Sequence, residues 1–204
     1  MINLDISDTG LWTVTINRPD KANSLTAQML EELVEIATRA QAARGLILTG
    51  TGKVFSAGAD LEEARAGLAT STVWERLSTA LAAVPCLKIA ALNGTLAGGA
   101  NGMALACDIR LAVPRAKFFY PVMKLGYLPQ PSDAGRMRAL IGPARTKMIL
   151  AAGQKIEAPE ACAWGLVDRL VEPDELMAQA QALLADSLAA KPEIAKGILE
   201  MSQG

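Results

Sequence analysis

Two glycine-rich stretches, FSAGADL at residues 55–61 and NGTLAGGANG at residues 93–102, decide the fold of this chain. Each follows an apolar run that predicts a buried strand, at residues 45–49 (GLILT) and 86–92 (CLKIAAL). Helical patterning follows each stretch, so each is predicted to be a turn between a strand and a helix. The N–H groups of such a turn are free at the helix N-terminus and favour negative charge. Two converging turns would form an oxyanion hole.

Strands and helices alternate along the chain. An amphipathic helix is predicted over residues 26–43, because Leu30, Leu33 and Ala37 recur at helical spacing. Strands that read as apolar runs and alternate with helices are typical of an α/β layered fold with largely parallel pairing. The other predicted elements are strands at 11–16 and 109–113, helices at 72–83, 131–141, 143–152 and 174–190, and a short final helix from Pro192.

The length of 204 residues fits one domain, or one domain with a helical appendage. Because the chain becomes helix-rich after about residue 130, we predict two parts. Residues 1–130 form the core that carries the site, and residues 131–204 form a short helical C-terminal region.

Composition argues against several classes of protein. The chain has 20 basic and 21 acidic residues, which gives no electrostatic case for nucleic acid. No apolar run approaches the roughly 20 residues of a membrane span, and residues 1–5 lack the features of a signal peptide. Cys86, Cys107 and Cys162 are isolated, which is typical of reduced thiols. We therefore expect a cytoplasmic protein without nucleic-acid or membrane partners.

The chain contains no histidine. This excludes Ser-His-Asp and Cys-His triads, and imidazole as a general base or metal ligand. No cluster of cysteines and carboxylates has the spacing of metal ligands, so no metal is expected. Any chemistry must come from carboxylates, hydroxyls, backbone amides or water.

Taken together, the sequence blocks resemble the crotonase superfamily, the enoyl-CoA hydratase/isomerase group. The resemblance implies a spiral of strand-strand-helix repeats, an acyl-CoA substrate and a homotrimer or hexamer. Coenzyme A would be part of the substrate, and no separate cofactor is implied. Members usually continue for one or two further helices, so the C-terminal region is expected to be short for the family. Besides the two glycine-rich stretches, the blocks are Asn17-Arg18-Pro19, Asn23-Ser24-Leu25, Cys107-Asp108-Ile109-Arg110, Leu125-Gly126-Tyr127-Leu128-Pro129, IEAPEA at 156–161 and Trp164-Gly165-Leu166-Val167-Asp168.

The resemblance assigns roles to residues of the two turns. Ala59 and Gly99 would supply the two backbone N–H groups of the oxyanion hole. The backbone at Ala57 and Leu61 would hold the adenine of coenzyme A. Asp60 and Gly98, beside them, are further candidates for substrate binding, and Asp60 is also expected to cap the following helix. The alternative for the glycines is that they only permit tight turns and close packing.

Proton-transfer carboxylates are missing from the positions where the family has them. Hydratases of the family carry two glutamates, in columns that hold Gly102 and Val122 here, and other members place a carboxylate where this chain has Gln130. The first remaining candidate is Asp133, which the alternative interpretation makes a cap of the helix from residue 131. Glu62 and Glu63 are further candidates, although a solvated helix face also explains them.

Three uncharged side chains could also contact an acyl group. Tyr120 and Tyr127 could donate a hydrogen bond to it, or pack as core aromatics with satisfied hydroxyls. Asn101 could orient a carboxylate or water, or bond within its turn.

Three functions remain open. The leading interpretation is an acyl-CoA enzyme of the hydratase/isomerase type that stabilises an enolate. The alternatives are a protein that binds a CoA thioester without turnover, and a decarboxylase or thioester hydrolase that works without the two glutamates. The predicted helices near 131–152 and 174–190 offer apolar faces for self-association.

Overall fold

The computed structural model describes residues 1–202 and shows an α/β fold built around two sheets. The strands are β1 Ile2–Ile6, β2 Leu11–Ile16, β3 Gly45–Gly50, β4 Val54–Ser56, β5 Leu87–Leu92, β6 Thr95–Ala97, β7 Ile109–Ala112, β8 Lys117–Phe119, β9 Ile156–Glu157 and β10 Arg169–Leu170. The helices are α1 Ala27–Arg39, α2 Leu61–Arg65, α3 Val73–Ala82, α4 Asn101–Leu105, α5 Val122–Leu125, α6 Pro131–Leu150, α7 Ala158–Trp164, α8 Leu176–Ala189 and α9 Pro192–Ser202. Single 3-10 turns cover Pro19–Lys21, Ala40–Ala42, Leu68–Thr70 and Gly98–Ala100.

The larger sheet has the strand order β1-β2-β3-β5-β7-β10, and the smaller has the order β4-β6-β8-β9. In the larger sheet β1 pairs with β2 antiparallel, and every other pairing is parallel. The central strands are buried along almost their whole length, which is why they read as continuous apolar runs. The predicted α/β fold with largely parallel pairing is confirmed.

Most predicted helices are present with slightly different ends. The helix predicted over residues 26–43 is α1, whose first turn is capped by the hydroxyl of Thr26, which accepts from the N–H of Met29 at 3.2 Å. It stops at Arg39 and continues only as a 3-10 turn. Its buried face packs against α3.

The break predicted between two helices near residue 142 is confirmed. Within α6, Gly142 has φ 76° and ψ 167°, which is not helical, and Pro143 begins the second segment. A positive φ strains a residue with a side chain, and proline fits the first turn of a helix. The first segment begins at Pro131 and carries Asp133 in its first turn, where the residue faces the interior.

The region from residue 131 contributes more than helices. Strand β9 pairs with β8, and β10 pairs with β7, so this region adds one short strand to each sheet. The sequence pattern did not predict these strands, because two residues are too few to show a period.

The two last helices differ in what covers their apolar faces. Helix α8 lies on the sheet, where a Cβ at Gly45 would be 3.2 Å from a methyl group of Leu184. The apolar face of α8 is therefore buried within the chain, and the expectation that it is free for a partner is wrong. Helix α9 has no buried residue and exposes Ile194, Ile198 and Met201. Of the helices within residues 1–202, none is long and apolar enough to cross a membrane.

Candidate active site

The two glycine-rich turns are in direct contact. At Gly58, φ is 88° and a Cβ would lie 2.9 Å from the carbonyl oxygen of Ala97. At Gly98, φ is 59° and a Cβ would lie 3.7 Å from the Cα of Gly58. The positive φ values and the first of these approaches both require glycine. The structure therefore brings the two turns together as the sequence predicted.

The N–H group of Ala59 is free and has a fixed direction. Leu25 bridges to Ala59 in parallel fashion: its N–H donates to the carbonyl of Gly58 at 2.8 Å, and its carbonyl accepts from the N–H of Asp60 at 2.8 Å. In a parallel bridge of this kind, Gly58 and Asp60 make the hydrogen bonds to Leu25. The N–H and C=O of Ala59, which lies between them, point away from Leu25. No residue of the described chain accepts a hydrogen bond from the Ala59 N–H.

Gly99 supplies a second N–H group at the start of a helical segment. It is the second residue of the 3-10 turn Gly98–Ala100, so its N–H falls in the first turn, where donors lack partners within the helix. A Cβ at Gly99 would lie 3.0 Å from two carbons of the Trp74 ring. That ring is fixed, because its Nε1–H donates to the carbonyl of Leu68 at 2.8 Å.

A cavity of about 370 Å³ opens beside the two turns. Five of the residues predicted to form the site line it: Ala57, Ala59, Leu61, Gly98 and Gly99. The rest of the wall is largely apolar and includes Trp74, Phe119, Tyr120, Val122, Leu125 and Leu128. Arg65 is the charged residue of this wall. The cavity is suited to an apolar group whose one polar end meets the backbone N–H groups.

Asp60 holds the first turn in place. Its Oδ1 accepts from the N–H of Glu62 at 3.1 Å, so the predicted helix cap is confirmed. Its Oδ2 lies 2.8 Å from a guanidinium nitrogen of Arg18, and this hydrogen bond holds the pKa of the Asp60 carboxyl below its usual value. The carboxylate is thus directed at α2 and the loop before α1, and Asp60 is not part of the cavity wall.

Asp133 is a fully buried carboxyl group behind the cavity wall. Its Oδ2 accepts from the hydroxyl of Tyr120 at 3.0 Å, whereas its Oδ1 has no hydrogen-bond partner in the part of the chain that the structure describes. The alternative interpretation, that Asp133 caps α6, is wrong, because its side chain turns inward and accepts from no helix amide.

The surroundings of Asp133 raise the pKa of its carboxyl well above the ordinary value for aspartate. Burial raises the pKa of its carboxyl to about 7, and the nearby charge of Glu75 acts in the same direction. The Tyr120 hydrogen bond and the charge of Arg136 lower the pKa and offset part of this effect. Burial also raises the pKa of the Tyr120 phenol, so that its hydroxyl stays neutral. A carboxyl group that titrates near pH 7 is suited to acid-base chemistry.

Two of the remaining candidates, Glu63 and Asn101, have structural partners. Glu63 Oε2 accepts from the Ala27 N–H at 2.6 Å and so caps α1, and Glu62 is exposed. Neither glutamate belongs to the cavity wall. The Asn101 amide donates to the carbonyls of Gly98 at 2.8 Å and Phe119 at 3.1 Å, which confirms its predicted role in the turn.

The three positions at which the resemblance implied a carboxylate carry none, and two of them belong to the cavity wall. Gly102 lies in α4, and Val122 begins α5 and lines the cavity, as does Gln130. Within residues 1–202, no group of three or more histidine, cysteine, aspartate or glutamate residues could hold a metal ion. Burial raises the pKa of Cys86 to about 11 and that of Cys107 to about 12, so neither thiol is an effective nucleophile at neutral pH.

Two features of the site were missed from the sequence. Arg65 was not singled out, although it lies four residues after Leu61 on α2, a spacing that places both on one face. The contact between Tyr120 and Asp133 left no sequence signal, since it joins residues thirteen positions apart across an irregular segment.

Comparison with known proteins relates this geometry to acyl-CoA chemistry. The family model for enoyl-CoA hydratase/isomerase matches residues 7–202. The 1,2-epoxyphenylacetyl-CoA isomerase of Escherichia coli K12 is 31% identical, with 95% of this chain and 78% of that protein covered. The 4-chlorobenzoyl coenzyme A dehalogenase-2 of an Arthrobacter species is 31% identical, with coverages of 94% and 73%. The crystal structure of an enoyl-CoA hydratase from Bacillus anthracis has a TM-score of 0.89 and 32% identity, with coverages of 99% and 82%.

Proposed function

This chain belongs to the enoyl-CoA hydratase/isomerase family, and from that premise we propose that it acts on an acyl-CoA thioester by stabilising an enolate. The N–H groups of Ala59 and Gly99 bind the thioester oxygen as it gains negative charge. The observation that carries this proposal is the close approach of the two turns, in which a Cβ added at Gly58 would lie 2.9 Å from Ala97 O. It is supported by the lining of one cavity, to which both Ala59 and Gly99 belong.

An oxyanion hole of this kind contributes most when water is excluded. The cavity wall is mostly apolar, so a charge that develops inside it is poorly solvated except by the two N–H groups. Losing one such donor typically costs about 100- to 1,000-fold in kcat. Asp60 and Asn101 each make a hydrogen bond within one of the two turns, which supports a preorganised pair of donors.

The coenzyme A part of the substrate is assigned to the first turn. The backbone at Ala57 and Leu61 holds the adenine, with Asp60 fixing the start of α2 and Gly98 completing the wall. Arg65 lies at the same wall and is exposed, so its guanidinium can reach a phosphate or carboxylate of the substrate.

Enolate chemistry without direct addition of water fits this site best. Gly102 and Val122 carry no acid or base, which removes the pair of carboxylates that would activate and deliver water. Asp133 is the carboxyl group behind the cavity wall and is assigned the proton transfer. Isomerisation by α-proton transfer is therefore favoured over hydration, and decarboxylation of a malonyl-type thioester is the second candidate, because it produces the same enolate.

Calorimetry with acyl-CoA thioesters of several chain lengths tests the proposal. Binding is expected in the micromolar to millimolar range, about −8 to −4 kcal/mol. Ala64 lines the cavity, whereas Ala66 is exposed on the same segment and does not. Ala64→Trp should therefore weaken binding at least tenfold, and Ala66→Trp should leave it unchanged. No binding by the folded, unmodified protein would reject the proposal and its non-catalytic alternative together.

We also propose that the chain assembles as a homotrimer or hexamer. The exposed apolar face of α9, formed by Ile194, Ile198 and Met201, supports self-association. Sedimentation velocity at micromolar concentrations should show a trimer or larger species. Ile198→Asp should shift the distribution toward monomer, and Glu193→Gln, an exposed change on the same helix, should not. A monomer at all concentrations would contradict this assembly.

A further inference from the structure

A buried carboxyl group with one unpartnered oxygen lies directly behind the candidate site. Asp133 is 0% exposed, and its Oδ1 has no hydrogen-bond partner among residues 1–202. Leaving such an oxygen unpaired is costly, and unpaired polar groups in a protein interior often mark chemical function. A Cβ at Gly102 would lie 2.7 Å from this oxygen, so the carboxyl group sits where a side chain of α4 would otherwise begin.

Tyr120 connects this carboxyl group to the cavity. Its hydroxyl donates to Asp133 Oδ2 at 3.0 Å, and its side chain forms part of the cavity wall. The same hydroxyl accepts from the Gln130 N–H at 3.4 Å, and Gln130 is also a wall residue. The hydroxyl of this wall residue is therefore held between the Gln130 N–H and the buried carboxyl group.

We infer that Tyr120 and Asp133 form a proton relay that serves the enolate at the Ala59 and Gly99 N–H groups. This inference rests on the proposed enolate chemistry. The electron pair of the enolate forms a C–H bond at the α-carbon with the proton of the Tyr120 hydroxyl. As that O–H bond breaks, the Asp133 carboxyl passes its proton to the Tyr120 oxygen and becomes a carboxylate. Removal of an α-proton is the same sequence in reverse.

The relay is reset through the cavity. Isomerisation restores both groups by itself, because one proton is removed and one is returned. After a net protonation of the enolate, a hydronium ion gives its proton to the Tyr120 oxygen while the Tyr120 hydroxyl proton passes to the Asp133 carboxylate, which leaves water and restores both groups. Tyr120 therefore contacts the substrate, and Asp133 acts through it. The charged and titratable groups around Asp133 are Tyr120, Glu75 from α3 and Arg136 from α6, whereas α4 presents Gly102. Burial raises the pKa of Asp133 to about 7, which lets it hold and release a proton under the same conditions.

Exchange of the α-protons of butyryl-CoA in deuterated water, followed by NMR from pH 5 to 9, tests the relay. The unmodified protein should exchange them with an inflection near pH 7. Tyr120→Phe and Asp133→Asn should each lower the rate by about 100-fold or more, the scale of a lost acid-base group. Both variants should abolish the inflection in the pH profile and should bind butyryl-CoA with an affinity within about threefold of that of the unmodified protein. Asp186→Asn, which changes an exposed carboxylate on α8, should change neither the rate nor the inflection.

The outcomes separate the relay from the proposed function. If the unmodified protein binds no butyryl-CoA and exchanges no proton, the proposed function is rejected and the relay with it. If the unmodified protein binds and exchanges but Tyr120→Phe keeps the rate and the inflection, only the relay is rejected. If either variant fails to fold, the relay is tested instead by measuring the pKa of Asp133 in the unmodified protein with 13C NMR of labelled aspartate. A value near 7 supports the relay, and a value near 4 overturns it.

Discussion

Gly102 and Asp133 occupy complementary space: a Cβ at position 102 would lie 2.7 Å from Oδ1 of Asp133. Glycine at position 102 therefore leaves room for the carboxyl group that enters from α6, and an acid lies beside the site although α4 supplies none. A side chain at position 102 should therefore be tolerated better when Asp133 is replaced by a smaller residue.

Substitution of Gly102 tests this complementarity. Gly102→Ala should destabilise the protein by about 1–3 kcal/mol, because the new methyl group overpacks a fixed carboxyl group. The melting temperature should fall by about 2–4 °C for each kcal/mol. Gly135 lies in α6 with no atom within 4 Å of a Cβ, so Gly135→Ala is a matched control. It should stabilise the protein by about 0.4–1 kcal/mol. Equal stability of the two variants would contradict the packing described.

The pH dependence of stability should depend on Asp133. The folded protein holds the pKa of this carboxyl at about 7, above its ordinary value of 3.8. Between these pH values the folded state binds the proton more tightly, so this group's contribution to stability falls as pH rises from about 4 to about 7.

Replacing Asp133 with asparagine should remove this fall in stability with rising pH. In urea unfolding, Asp133→Asn should gain stability relative to the unmodified protein as pH rises from 5 to 8, by about 3 kcal/mol, because the slope of about 1.4 kcal/mol per pH unit ends near the folded pKa of about 7. The exposed change Asp186→Asn should give a free energy of unfolding that differs from that of the unmodified protein by a constant amount over this pH range. Parallel pH curves for Asp133→Asn and the unmodified protein would show that Asp133 titrates normally.

Loss of the Gly99 N–H should affect turnover more than binding. Gly99→Pro deletes the donor, whereas Gly99→Ala keeps it and adds only a Cβ close to Trp74. The proline variant should turn over at least about 100-fold more slowly than the alanine variant. Circular dichroism checks that both fold. Equal turnover of the two folded variants would place the oxyanion hole elsewhere.

Hydration of crotonyl-CoA should be slow in the unmodified protein. A positioned acid or base contributes about 100- to 10,000-fold, and Gly102 and Val122 supply neither. Side-by-side assays should show α-proton exchange of a saturated acyl-CoA well above crotonyl-CoA hydration. Fast hydration would mean that Asp133 activates water.

Introducing glutamates at positions 102 and 122 is a second test of why hydration should be slow. Because Asp133 occupies the space beside position 102, Gly102→Glu should be tolerated only together with Asp133→Gly. Adding Val122→Glu on the cavity wall should then raise hydration above that of the unmodified protein. Failure of the folded triple variant to hydrate faster would show that the cavity does not admit water at the β-carbon.

Local sequence patterns were sufficient to predict the structure where the contacts join residues that are close in sequence. The apolar runs of β3 and β5, the cap of α2 by Asp60 and the break at Gly142 all depend on neighbouring residues, and all were predicted. The short strands β9 and β10 were not, because they exist only through pairing with β8 and β7. Likewise, the apolar stripe of α8 was visible in the sequence, whereas its burial against the sheet was not.

The sequence by itself determined the parallel sheet, the two glycine-rich turns and the absence of imidazole chemistry, because periodicity, glycine placement and composition are properties of the chain. Only the tertiary structure decided what Asp133 does. As a residue in the first turn of α6 it could equally have capped that helix. Packing of α6 against α4 instead buries its carboxyl group beside Gly102 and against Tyr120. The loss of water around it, which no local pattern encodes, is what raises its pKa to about 7.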